Sequence, residues 1–153
     1  MPPTVMIVDD EELARQFYGD LLVESGFRVV TASSGPEALS ALPQYPVEAV
    51  VLDIMMPGVS GLEALEQIRK IAPDLPVIIL TAHPSSQNAI AALKLGAFDF
   101  IVKGIQHELM VVAVHRAIRH FAQLQEKHHA LAVLKARIRE LEARIHELEG
   151  RPA

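Results

Sequence analysis

Ala49-Val50-Val51-Leu52-Asp53-Ile54-Met55-Met56-Pro57-Gly58-Val59-Ser60-Gly61 is an apolar run that ends in one carboxylate and then turns through a proline and two glycines. Four apolar residues bounded by turn chemistry read as a short strand buried on both faces, as in a parallel sheet covered by helices. Asp53 then falls at the carboxyl end of a strand, the edge of an open α/β sheet where ligands bind. An Asp in such a place also starts turns and caps helices, so its meaning depends on the rest of the chain.

Upstream, Thr4-Val5-Met6-Ile7-Val8 stops at Asp9-Asp10-Glu11-Glu12. Acidic residues in a first helical turn follow from the helix dipole; that accounts for Glu11 and Glu12 but less well for Asp9 and Asp10, which precede the turn. Leu13, Phe17, Leu21 and Leu22 at helical spacing predict an amphipathic helix closed by Ser25-Gly26. Phe27 to Ala32 predicts a second strand, and Gly35-Pro36 opens a helix through Leu42 that Pro43 and Pro46 end. Downstream, Leu62, Leu65, Ile68 and Ile71 mark a helix, and Val77 to Leu80 a fourth strand ending at Thr81. A helix from about Ser85 to Leu95 follows, then a fifth strand from about Phe98 to Val102 with Lys103 at its end.

Alternating strands and helices with short connections predict a doubly wound α/β fold on a parallel sheet. In the flavodoxin-like strand order 2-1-3-4-5, Asp9, Asp10 and Asp53 would converge at the switch point, flanked by Thr81 and Lys103. Crowded carboxylates take up protons or gather a divalent cation. Oxygen ligands with open positions suit Mg²⁺, shared with a phosphate. Asp53 is then the natural nucleophile for an acyl phosphate. Lys103 would offset charge on the transferring group, and the Thr81 hydroxyl would bond a phosphoryl oxygen.

The chain is 153 residues long and 50% apolar, enough for one domain with a real core plus an appendage. No apolar run approaches the ~18 residues that span a bilayer, and no leader precedes the first strand, so a soluble, cytoplasmic protein without membrane attachment is expected. Cysteine is absent, which removes thiolate metal sites and disulfides. Net charge is −5, with 6 Lys/Arg against 13 Asp/Glu up to residue 104 and 8 against 6 beyond it. An acidic front with few aromatics argues against nucleic-acid binding there, and the tail's cations alternate with glutamates instead of forming a stripe, so no direct nucleic-acid binding is expected.

Over residues 4 to 120 the chain resembles the receiver domains of two-component response regulators, the chemotaxis regulator among them. It carries Asp9-Asp10, then Asp53 in Asp-Ile-Met-Met-Pro-Gly, then Thr81-Ala82, then Lys103, in that family's order and at its separations. The resemblance implies that Asp53 accepts phosphoryl from a histidine kinase or a histidine phosphotransfer protein. It implies that Asp10 and Asp53 ligate Mg²⁺ directly, Asp9 through water, and the Met55 backbone carbonyl as well. Thr81 and Phe100 match the family's switch residues, and His83 a position that tunes dephosphorylation. The family usually follows its lysine with a proline in a cis peptide bond; Gly104 stands there instead, which predicts a trans bond and an altered or looser Lys103 loop.

A phosphohydrolase with an aspartate nucleophile would use similar parts. Enzymes resembling the haloacid dehalogenases carry a second Asp two residues after the nucleophile, and here that residue is Met55, which leaves no group to protonate a leaving group. The expectation is a switch and not an enzyme.

From Ile105 to Glu149 there is no proline or glycine, so one helix of up to about 45 residues is expected. Leu109, Val112 and Ala113 would cover the sheet as a fifth helix, giving a receiver domain over 1–122 and an extension over 123–150. In the extension Leu124, Leu131, Ile138 and Ile145 fall at a, and Leu134, Leu141 and Leu148 at d, with Lys127 the one polar d. Isoleucine at a with leucine at d favours a parallel dimeric coiled coil. Arg137 and Arg144 at g would face Glu142 and Glu149 at e of a second copy, whereas an antiparallel pair would set like charges together. The alternatives are a lone charged helix held by pairs such as Glu140 with Arg144, or a connector whose helix pairs with another protein. His115, His120, His128, His129 and His146 read as surface residues.

Overall fold

A computed structural model describes residues 1–104 and 107–150 of the chain. Strands β1 (Thr4–Val8), β2 (Arg28–Ala32), β3 (Val47–Leu52), β4 (Val77–Thr81) and β5 (Asp99–Val102) alternate with helices α1 (Glu12–Glu24), α2 (Gly35–Ala41), α3 (Gly61–Ile71), α4 (Ser86–Lys94) and α5 (His107–Glu149). All strand pairings are parallel and the order is β2-β1-β3-β4-β5, the flavodoxin-like order. Ile105, where the sequence reading begins the last helix, lies outside the described residues.

The two-residue period of the strands divides the core into two layers. Met6 and Val8, Val50 and Leu52, and Val77 and Ile79 pack with Ala38 of α2, Ala64, Leu65 and Ile68 of α3 and Ala92 of α4. Val5 and Ile7, Ala49 and Val51, and Ile78 and Leu80 pack with Tyr18 and Leu22 of α1 and Met110, Ala113, Val114 and Ala117 of α5. Both faces are covered, which is why the central strands are apolar at nearly every position, Thr4, Glu48 and Thr81 excepted. Ser34, Ser60 and Ser85 each accept from the backbone N–H three residues on, satisfying one orphan amide at the start of α2, α3 and α4.

Two helical faces differ from expectation. On α1, Leu13 is 80% exposed and Phe17 is also outward, while Tyr18 and Leu22 are buried. On α5, Leu109 and Val112 face solvent, and Met110, Ala113, Val114 and Ala117 are buried. In both helices the buried stripe is displaced by about one residue, a step of ~100° around the axis. Leu22 and Ala113 are buried as expected, but Tyr18 on α1 and Met110, Val114 and Ala117 on α5 occupy the core in place of Leu13 and Phe17 and of Leu109 and Val112.

The chain divides into two compact units, Met1–Phe121 and Ala122–Ala153. In the first, His115 lies against the Phe27 ring and His120 against Phe98, at centroid separations of 4.7 and 5.5 Å. In the second, Leu131, Leu134, Ile138, Leu141, Ile145 and Leu148 are exposed, and Arg137 pairs with Glu140 at 3.0 Å. Among the described residues no helix is long and apolar enough to cross a membrane.

Candidate functional site

The site forms at the carboxyl edge of the sheet because β1 and β3 are adjacent. Asp9 N–H donates to Ala32 O at 3.1 Å and Asp53 N–H to Val8 O at 2.9 Å, so each residue extends its strand's ladder by one bond. Their side chains are bound alike. Asp9 Oδ1 accepts from Glu11 N at 2.9 Å, and Asp53 Oδ1 accepts from Met55 N at 3.1 Å. The second oxygen of each carboxylate accepts from one ammonium: Lys103 Nζ donates to Asp9 Oδ2, and to Asp53 Oδ2 at 3.1 Å. Asp9 and Asp53 are only 3% and 4% exposed.

Asp10 is exposed and completes the cluster: one carboxylate oxygen from each of Asp9, Asp10 and Asp53 lies within 4.8 Å of the others. Burial pushes the Asp53 carboxyl above the usual Asp range, and Asp9 nearby adds to this; the Met55 amide and the Lys103 ammonium oppose it without cancelling it. Burial also works against the Lys103 charge, but its hydrogen bond to Asp9 and the charges of Asp53 and Asp9 prevail and raise its pKa. One ammonium among three carboxylates leaves the cluster under-neutralised. An all-oxygen donor set with buried negative charge fits a hard divalent cation such as Mg²⁺.

The remaining predicted residues sit around this centre. Thr81 is fully buried at the end of β4; its backbone carbonyl accepts from Lys103 N at 2.8 Å, and its Oγ1 accepts from His83 N at 3.2 Å. His83 is exposed on the loop that follows. Phe100, paired with Ile79, is half-buried against the core layer of α2, α3 and α4. Met55 is exposed beside Asp53.

Gly61, read in the sequence only as a turn residue, and two residues outside the sequence reading, Arg15 and Tyr18, also hold the site. Gly61 N–H donates to Ile54 O at 2.9 Å and brings the start of α3 against the loop after Asp53. Arg15 Nη1 donates to the Asp9 carbonyl at 2.8 Å. The Gly104 N–H donates to the Tyr18 hydroxyl at 3.3 Å. No motif marks Arg15 or Tyr18; the clue was position 104, where glycine supplies an N–H that must find an acceptor. Among the described residues there is no cis peptide bond, and Gly104 has φ +78°, a conformation closed to proline.

Residues 5–115 match the family model described as the response regulator receiver domain. The chain belongs to that family. This receiver domain is 40% identical over 115 residues to an NtrX-like response regulator of Rickettsia bellii, spanning 74% of this chain and 24% of that protein. It is 39% identical over 124 residues to the DNA-binding transcriptional regulator NtrC of Klebsiella pneumoniae, spanning 81% of this chain and 26% of that one. The chain thus spans about a quarter of the length of these relatives. Among solved structures it is similar to a response regulator receiver domain protein of Clostridium thermocellum, with a TM-score of 0.75, 35% identity, and coverage of 80% of this chain and 98% of that one. Receiver domains of this family are phosphorylated by histidine kinases or phosphotransfer proteins and bind Mg²⁺ at an acidic pocket, here the Asp9, Asp10 and Asp53 cluster.

Proposed function

We propose that Asp53 is the phosphoacceptor of this receiver domain and that its acyl phosphate switches the surface around Thr81 and Phe100. The supporting observation is the shared ammonium: Lys103 Nζ holds Asp53 Oδ2 and Asp9 Oδ2 at once. With Asp53 Oδ1 engaged by the Met55 amide, the carboxylate is fixed in orientation with its second oxygen at Lys103. In transfer from a phosphohistidine, an Asp53 carboxylate oxygen attacks phosphorus, a P–O bond forms, the P–N bond breaks, and the imidazole leaves with its electron pair and takes a proton. Lys103 moves onto a phosphoryl oxygen, offsetting charge as it develops.

Asp10 and Asp53 would hold Mg²⁺ directly, Asp9 through water, and the Met55 carbonyl would complete the protein's share. When bound, the ion supplies charge neutralisation to the phosphoryl oxygens. Thr81 Oγ1 would donate to the phosphoryl group, and Phe100, half-buried, would turn inward as Thr81 moves. His83 lies one bond from Thr81 and would influence the water that hydrolyses the acyl phosphate.

The receiver would comprise residues 1–122, and the extension 123–150 would carry the signal as a parallel homodimeric coiled coil. Its a and d residues from Leu131 to Leu148 are exposed along one helix, and the g and e charges favour parallel pairing. The contact of Arg137 with Glu140 is solvent-exposed and costs little to exchange for a pair across the dimer.

Incubation with Mg²⁺ and acetyl phosphate, followed by intact mass, tests the acceptor. Wild type gaining one phosphoryl group, with Asp53→Asn unlabelled, is the expected result. Labelling of Asp53→Asn at the wild-type rate would refute it, and steady release of phosphate at enzymatic rates would favour a hydrolase.

A further inference from the structure

The Lys103 loop is held from α1, by a residue with no part in the receiver motif. Lys103 N–H is bonded to Thr81 O at 2.8 Å, and the next amide, Gly104 N–H, donates to the Tyr18 hydroxyl at 3.3 Å. Two consecutive amides are therefore tied to opposite neighbours, β4 on one side and α1 on the other. They fix the peptide plane from which the Lys103 side chain reaches Asp9 and Asp53.

The Tyr18 ring is itself immobilised. It is buried, stands edge-on to Phe17 at 5.0 Å and 85°, and lies 6.4 Å from the His107 ring. Three residues earlier on the same helix, Arg15 holds the Asp9 carbonyl. One face of α1 thus grips the backbone at both ends of the Asp9–Lys103 ion pair. The bond to Tyr18 exists only because residue 104 is not proline: a proline has no N–H to donate and cannot take φ +78°.

We infer that Tyr18 is a positioning residue for Lys103, its hydroxyl fixing the Gly104 amide in place of the restraint a proline would impose. This rests on the reading of Asp53 as phosphoacceptor. Lys103 reaches Asp53 Oδ2 through a flexible stem, and a loose backbone at its base spreads the ammonium over more positions than the one that meets the phosphoryl oxygens.

The test is Tyr18→Phe, which removes one oxygen and keeps the ring. Two measurements on the full chain are paired. Amide hydrogen exchange by NMR is read as the ratio of the Gly104 rate to the Lys103 rate, because general loosening raises both while loss of this bond raises only the first. The ratio is expected to rise about fivefold, the worth of one modest hydrogen bond. The rate of Asp53 labelling by acetyl phosphate with Mg²⁺ is expected to fall about fivefold, and the same substitution in a Lys103→Met background should leave the labelling rate unchanged.

An unchanged exchange ratio overturns the inference, as does an equal fall in labelling with and without Lys103. Wild type that takes no label at all would sink the phosphoacceptor reading alone, and the exchange ratio would still decide whether Tyr18 holds the loop.

Discussion

A Cβ added to Gly61 would lie 2.2 Å from the Asp53 carbonyl oxygen and 2.4 Å from the Ile54 Cα. Both atoms are backbone, so no rotamer change relieves the overlap. The helix that follows the acceptor loop can begin where it does only with a hydrogen at position 61.

Gly61→Ala should therefore cost more than about 2 kcal/mol of stability and displace Asp53 from Lys103. Denaturant unfolding reads the first effect and acetyl phosphate labelling the second. A variant as stable and as quickly labelled as wild type would show that the loop can yield.

Without metal, ionised Asp53 is a liability, because burial raises its folded pKa above the ordinary value of 3.8. Below 3.8 both folded and unfolded chains hold the proton and there is no penalty; the penalty grows as pH rises from there and is complete above the folded pKa. Asp53→Asn in EDTA should thus raise the thermal midpoint at pH 7 by a few degrees, roughly the effect of 1 kcal/mol. The gain should shrink as pH falls toward 4. A midpoint gain that is the same at pH 4 and pH 7 would argue against this origin.

Lys103→Met removes the cation shared by two buried carboxylates. Breaking such a contact from one side costs about 3 kcal/mol at neutral pH. Acid should narrow the gap from wild type as Asp53, its pKa raised by burial, takes up a proton. Alkali should narrow it too, beginning at the ordinary lysine value of 10.5 and complete once pH passes the raised pKa of Lys103. Thermal midpoints of both proteins across pH check these two arms.

Mg²⁺ should raise the wild-type midpoint in proportion to the logarithm of its concentration above Kd. Asp10→Asn leaves the Lys103 contacts in place and should weaken that response. Equal responses in the two proteins would place the ion elsewhere.

Ile138→Glu puts a charge at a central a position of the extension and should convert a dimer to a monomer, with labelling at Asp53 unaffected. Analytical ultracentrifugation separates the species. A wild type that sediments as a monomer would favour the connector reading, in which the exposed leucines await another protein.

The five strands, the loop after Asp53 and the acidic residues at the strand ends were legible because each rests on local chemistry, whereas the strand order is a long-range property that the residues alone did not dictate and that the structure supplies. Apolar runs end in Asp9, Asp53, Thr81 and Lys103, and parallel topology brings strand ends to one edge. What was not legible depends on phase and on distance along the chain. Leu13 and Phe17 outweighed Tyr18 as apolar residues, although the buried stripe runs through Tyr18. The Tyr18 to Gly104 bond joins positions 86 residues apart, and nothing in either neighbourhood announces the other. The change from proline to glycine at 104 was visible at once, yet its consequence appears only when the freed N–H is followed to its acceptor.

Asp9 and Asp53 take their spacing from ladder bonds at the ends of two neighbouring strands, Asp9 to Ala32 and Asp53 to Val8. The distance between the two acids is consequently a property of the sheet and owes little to the segments outside it. An exposed surface such as that at Leu13 on α1, which makes no contact with the acids, could be rewritten while the acids stay where they are, so that surface and the spacing of the carboxylates can be engineered independently.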